Sequence, residues 1–179
     1  MNPLIESWSP VDRVLNESLT HFQRQAEVMA RAMSWPTKSV MGDVSLMPLH
    51  GLGSVVTCVE AWPHIDTPTL GRWFVLWNLF SNGHVLHARD SKVSVGDDPR
   101  WRPGHTPMPL PDQSVEMRVG EMVILDAHRE HWMDSPSAPY RWKRWYVAPC
   151  DDLKTRPTRR KAEATMRERI MSMGGNWKR

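Results

Sequence analysis

Two periodicities divide the chain. Between Ser9-Pro10 and Trp35-Pro36, apolar Val11, Leu15, Leu19, Phe22, Ala26, Met29, Ala30 and Met33 return at helical spacing. Ser9 is a fitting N-cap and Pro10 a fitting first helical residue. The pattern predicts one amphipathic helix over about 10–34, whose stripe needs a partner, most simply the outer face of a sheet. From residue 43 the period shortens. β-Prone runs are predicted at 45–49, 55–62, 72–80, 84–87, 114–118, 121–126 and 140–147. Turn signals separate them, among them Gly51-Leu52-Gly53 and Ser81-Asn82-Gly83, and Asn82-Gly83 between two runs is a hairpin signal.

Helical spacing resumes at Ala162, Met166, Ile170 and Met173 and stops at Gly174-Gly175. Residues 99–113 carry five prolines and are predicted to form an ordered surface loop or lid. No internal repeat is visible. Helix, many short strands, then helix predicts a mainly β fold with flanking helices, a compact antiparallel barrel or sandwich.

Length and composition refine this picture. A chain of 179 residues with 40% hydrophobic residues suits one domain with a packed core. That domain is expected over 1–150, with a basic helix or tail over 151–179. No apolar run approaches the roughly 20 residues that cross a bilayer, and the start, MNPLIESWSP, lacks a signal-peptide pattern. The expectation is a cytoplasmic protein without a membrane partner. Two cysteines exclude a disulfide framework and a cysteine-type zinc site, which leaves eight histidines and the aspartates as metal chemistry. The net charge is only +3, but residues 154–179 hold nine Lys/Arg against Glu163 and Glu168. That tail is expected to dock an apolar stripe and keep its Arg-rich face wet. Contact with nucleic acid phosphates is the sharper alternative. Ten tryptophans are first of all large core residues and secondarily pocket walls.

Candidate chemistry begins at Trp62-Pro63-His64-Ile65-Asp66. Residues two apart at a strand end point to one face, so His64 and Asp66 converge. An HxD triplet alone is common by chance. A second stretch, Gly120 to Asp126 followed by Ala127-His128-Arg129-Glu130-His131, adds a turn, a buried strand and further histidines. Two histidines and one carboxylate on one side of a metal leave three positions open, the arrangement of non-haem Fe(II) oxygenases.

The order HxD, glycine-led strand, distal His and then Arg ten residues on (His131 to Arg141) resembles the 2-oxoglutarate- and Fe(II)-dependent dioxygenases. The phrases GEMVILDAHREHWMDSPSAPYR and HIDTPTLGRWFVLWNLF are most similar to the branch of proline and aspartyl/asparaginyl hydroxylases. The resemblance implies a double-stranded β-helix, a cupin-like jelly-roll barrel. It also implies Fe(II) held by His64, Asp66 and His131, with 2-oxoglutarate and O₂ as co-substrates. The keto acid would be decarboxylated to succinate while an unactivated C–H bond of an amino acid, peptide side chain or other small substrate is hydroxylated. Its far carboxylate calls for a planar guanidinium. Arg141 fits the spacing and Arg144 is the rival; three apart, they face opposite sides of one strand. Between the histidines, distance from the Gly120 strand favours His131 over His128. Arg72 and Asn78 share a strand face and are candidates to touch 2-oxoglutarate or substrate. Lys143 stands where a small hydroxyl residue is common in the family, which puts the co-substrate in question more than the metal.

Two other readings stay open. One is a cupin-like binding module for nucleic acid or protein, using the basic helix. The other is a cupin metalloenzyme without 2-oxoglutarate, although the usual HxH pair with a nearby Glu is missing.

Overall fold

The structure, a computed structural model, describes residues 3–8, 37–39, 42–48, 54–58, 61–66, 71–78, 84–102, 104–118, 120–134, 143–150 and 155–172. The expected helix at 10–34 lies outside them, as do Arg141, His21, His50 and the Asn82-Gly83 turn.

Among the described residues, eleven strands form two antiparallel sheets: β1 (Ile5–Trp8), β2 (Thr37–Ser39), β3 (Gly42–Pro48), β4 (Ser54–Cys58), β5 (Ala61–His64), β6 (Trp73–Asn78), β7 (His84–Arg89), β8 (Gln113–Met117), β9 (Met122–Asp126), β10 (Glu130–Asp134) and β11 (Lys143–Cys150). One sheet has the order β1-β9-β6-β11-β4-β3-β2 and the other β5-β10-β7-β8. Counted from β4, the first, eighth, third and sixth strands share the larger sheet. The second, seventh, fourth and fifth make the smaller one. This interleaving is the double-stranded β-helix, or jelly roll, expected from the sequence.

Six of the seven predicted runs fall on strands of matching position. The run at 55–62 splits into β4, in the larger sheet, and β5, in the smaller one. Strands β1, β2 and β10 went unpredicted. Glu130 and Asp134 bracket β10 with charge, so it lacks the apolar signature of a buried strand, yet Glu130 to Met133 are all buried.

Register layers the interior. Nearest the Asp66 end, His131 pairs with Ala88, which pairs with Gln113. One step deeper, Met133–Leu86–Val115 faces Phe74–Leu125, and next come Leu76–Val123 and Met117. Ala88 and polar residues thus lie at the Asp66 end while branched and long apolar ones fill the body. On the larger sheet's outer face, Trp73, Val75, Trp77, Met122 and Ile124 are buried too. Their strands are covered on both sides, and β6 and β9 read as continuous apolar runs rather than alternating ones.

Gln113 closes one seam. Its side chain donates to the Ile5 carbonyl and accepts from the Ile5 N–H, joining the smaller sheet's edge to β1. The helix Arg159–Ser172 buries Ala162 completely. Just ahead of it, Arg156 pairs with Glu6 and lies over the Trp73 ring. The described helices are neither long nor apolar enough to cross a membrane.

Leu86→Ala removes a side chain that is 1% exposed at the centre of this core. It should cost about 2–5 kcal/mol, read as a lower urea midpoint with an unchanged slope. Leu110→Ala, 86% exposed on the proline-rich loop, should stay within about 0.5 kcal/mol.

Candidate metal centre

Strands β5 and β10 bring His64 and His131 opposite each other as a register pair. Two residues along β10, Met133 pairs with Ala61, so β5 advances three residues while β10 advances two. This is a β-bulge. An unbroken ladder would set Ala61 and His64 on opposite faces. The extra residue lets Ala61 join the core while His64 still meets His131. Asp66 follows two residues later, its N–H donating to the Ala127 carbonyl at 3.0 Å.

The three side chains converge. The imidazole centroids of His64 and His131 stand 4.3 Å apart. Asp66 Oδ1 lies 3.8 Å from His64 Nε2, and Oδ2 lies 3.4 Å from His131 Nε2. One ligand atom from each fits within a 4.8 Å span, so the trio can hold a metal ion. Cis ligands at about 2.1 Å from an octahedral metal stand about 3 Å apart, so small side-chain rotations suffice.

Tautomers favour the same role. His64 Nδ1 is 2.7 Å from the Trp62 carbonyl, and His131 Nδ1 is 2.8 Å from the Arg129 carbonyl. A carbonyl only accepts, so each Nδ1 carries the proton and each Nε2 is directed toward Asp66. Both rings bond the carbonyl two residues upstream, and the strand backbone thereby sets their orientation.

Electrostatics separates the three. Burial, reinforced by the charge of His131, pushes His64 down to about 4, so it is neutral and ready to ligate at neutral pH. Burial also opposes charge on His131, but the Asp66 hydrogen bond and charge outweigh it and raise its pKa. Burial pushes Asp66 up, yet the hydrogen bond and charge of His131, with His64 and His128, hold it below the ordinary carboxylate range. The Asp66 carboxylate thus favours the protonated form of His131.

A buried node braces the centre. Glu130, fully buried, accepts from Val95 N–H at 2.6 Å and pairs with Arg89 at 2.6 Å. Ser94 Oγ bridges from Glu130 to the Pro63 carbonyl, the residue before His64. Gly96 stands so close that a Cβ there would lie 2.0 Å from the Pro63 oxygen, so only glycine fits. Glu130 and Ser94 thus clamp the two histidine-bearing strands through one short turn, Val95–Asp97.

The other candidates are spread out. Arg72 donates from Nε and Nη2 to Asp126 and lies near Asp66 across a cavity of about 390 Å³. Asn78, at the other end of β6, gives its amide to the Met117 carbonyl and pairs its backbone with Gly120 and Glu121. Register pairs Trp145, Val147 and Pro149 of β11 with Asn78, Leu76 and Phe74. Arg144 pairs with Thr57, on the alternate register. His128 lines the cavity beside Asp66 rather than joining the triad. His87 hydrogen-bonds Ser114, lies 3.1 Å from the Asp134 carboxylate and stacks on Trp132. The proline-rich segment is anchored by Trp101, 8% exposed, edge-on to Trp62. Glu130, Ser94, Lys92 and Arg129 escaped the sequence reading, since no local motif marks a clamp whose partners lie 30 or more residues apart.

No protein-family model and no curated protein sequence matches the chain. Among solved structures it is similar to YcfD, described as a ribosomal oxygenase from Escherichia coli, at TM-score 0.33 and 13% identity, covering 73% of this chain and 32% of that one. This chain therefore spans about a third of YcfD. L-ribose isomerase from Cellulomonas parahominis gives TM-score 0.34 and 14% identity over 86% of this chain and 90% of that one. SnoN, a non-haem alpha-ketoglutarate-dependent epimerase from nogalamycin biosynthesis, gives 0.34 and 14% over 87% and 73%. The fold assignment rests on strand order rather than on these low overlaps.

Glu130→Ala leaves Arg89 unpaired beneath the turn and should cost about 2–4 kcal/mol, read by urea denaturation. Metal uptake near neutral pH should release the proton shared by His131 and Asp66. Affinity should then rise with pH until His131 is deprotonated in the metal-free chain. Calorimetry in two buffers of different ionisation enthalpy measures the release; equal heats in both would contradict it.

Proposed function

We propose that this protein is an Fe(II)- and 2-oxoglutarate-dependent oxygenase that hydroxylates a C–H bond of a small substrate. The observation that carries this reading is the convergence of two Nδ1-protonated imidazoles and one carboxylate on the end of a double-stranded β-helix. Such a donor set, leaving one side of the metal open, suits Fe(II) with a chelating co-substrate and O₂. Bound there, the metal would supply oxidation of R–H to R–OH, coupled to conversion of 2-oxoglutarate and O₂ to succinate and CO₂.

The chain's own groups have separate tasks. His64 and His131 present Nε2, and Asp66 offers either oxygen. The clamp of Glu130, Ser94 and Pro63 keeps the histidines from turning as ligands exchange. Ala88, beside His131, leaves room for a co-substrate, while Leu86, Met133 and Phe74 below exclude water from the reacting centre. Arg141 is the proposed anchor for the far carboxylate. Its spacing of ten residues from His131 in the sequence supports that role.

An anaerobic titration with Fe(II) and 2-oxoglutarate tests the proposal. A weak visible charge-transfer band should need both components and vanish in His64→Ala. Arg141→Ala should raise half-saturating 2-oxoglutarate about 10- to 100-fold. Iron binding that ignores the keto acid would redirect the site to another metal chemistry. Binding of neither would favour a non-catalytic module.

A further inference from the structure

Beside the triad, the cavity of about 390 Å³ is walled by Ile65, Asp66, Arg72, Lys92, His128 and Arg129. Three strands' loops meet there: the residues after β5, those after β7 and the turn between β9 and β10. The wall holds three permanent cations and a histidine against one carboxylate, Asp66. In the role assigned above, that carboxylate is committed to the metal.

The two guanidinium groups are fixed from behind. Arg72 gives Nε and Nη2 to Asp126 at 3.0 and 2.7 Å. Arg129 gives Nε to Asp90 at 2.6 Å and Nη1 to the His128 carbonyl at 3.3 Å. Each keeps one nitrogen, Nη1 of Arg72 and Nη2 of Arg129, uncommitted among the described residues. Lys92 is exposed and makes no ion pair among them. His128 Nε2 is buried without a hydrogen-bond partner. Two pre-oriented guanidinium groups, a mobile ammonium and an unsatisfied imidazole form a donor array for an oxyanion. A concave wall lined mainly by cations concentrates positive potential there.

We propose that this cavity binds an oxyanion of the substrate, so that the molecule oxidised beside Asp66 carries a carboxylate or a phosphate. The volume suits a group of amino-acid size. The inference rests on the oxygenase reading for what happens to the substrate, but the anion site itself stands on the cavity's own residues. Positioning is the consequence: an anion held by Lys92 and Arg129 presents the carbon chain attached to it toward the open side of the triad.

The test uses the full chain, metal-free and loaded with Mn(II) and 2-oxoglutarate. Probes are N-acetylglutamate amide, N-acetylglutamine amide and N-acetylphosphoserine amide, titrated by calorimetry or ligand-observed NMR. The glutamate probe should bind the loaded protein about tenfold tighter than its neutral counterpart. The exposed change Lys92→Glu and the milder Arg129→Gln should each bring that ratio toward one, with metal uptake retained. A phosphoserine probe tighter than glutamate would assign phosphate rather than carboxylate. Equal binding of glutamate and glutamine probes would overturn the proposal, as would a preference untouched by both substitutions. Loss of 2-oxoglutarate binding in the same variants would also overturn it, by giving the cavity to the co-substrate. If the Mn(II) titration fails while the glutamate preference persists, the oxygenase reading falls and the anion site stands. If metal and keto acid bind and no preference appears, the anion site falls alone.

Discussion

The pairing of His64 with His131 across β5 and β10 is the constraint on which the site depends. Two imidazoles at neighbouring register positions, each donating Nδ1–H to a carbonyl two residues upstream, have little freedom left. Their Nε2 atoms then point at one place, and Asp66 reaches it because its own N–H is fixed to Ala127. In a packed interior, so tight a cluster of titratable groups costs free energy unless a cation or a proton occupies its centre. The two rings shift in opposite directions: burial and the charge of His131 push His64 down, while the Asp66 carboxylate raises His131.

The fold supplies the rigidity this demands. Strands β5 and β10 are neighbours in a four-stranded sheet whose inner face is filled by Met133, Leu86, Ala61 and Met117. A bulge places His64 without removing Ala61 from that core. Glu130 and Ser94 then join the backbone before His64 to the residue before His131 through the turn at Val95–Asp97. A buried carboxylate is a costly brace, tolerable here because a backbone N–H and a hydroxyl donate to one oxygen while Arg89 is ion-paired with the other. Ion pairs with buried Asp126 and exposed Asp90 likewise fix Arg72 and Arg129 at the cavity beside the triad.

Much of this was legible in residue order. Alternation and turn residues placed most strands, and strand order shows the double-stranded β-helix that the family resemblance implied. HxD at 64–66 and a histidine at 131 were readable as one constellation, since i and i+2 on a strand share a face and the family spacing supplied the third member. Strand β10 was not legible as a strand, because its charged ends conceal it. Nor was the bulge, since a one-residue slip between strands leaves no mark in composition.

The sequence by itself determined which groups can ligate, that strands would carry them, and that residues 154–179 are rich in Lys and Arg. Tertiary structure decided which polar residues serve those ligands. Asn78, a candidate for ligand contact by its strand face, gives its amide to Met117 near the opposite end of β6. His128, a rival ligand by spacing, instead borders a cavity beside Asp66. Glu130, unremarkable in sequence, is the buried brace. The reason is one of range. Ligand identity and local alternation depend on neighbours one to four residues away. Bracing and charge complementarity depend on register between strands tens of residues apart, and only the closed barrel sets that register.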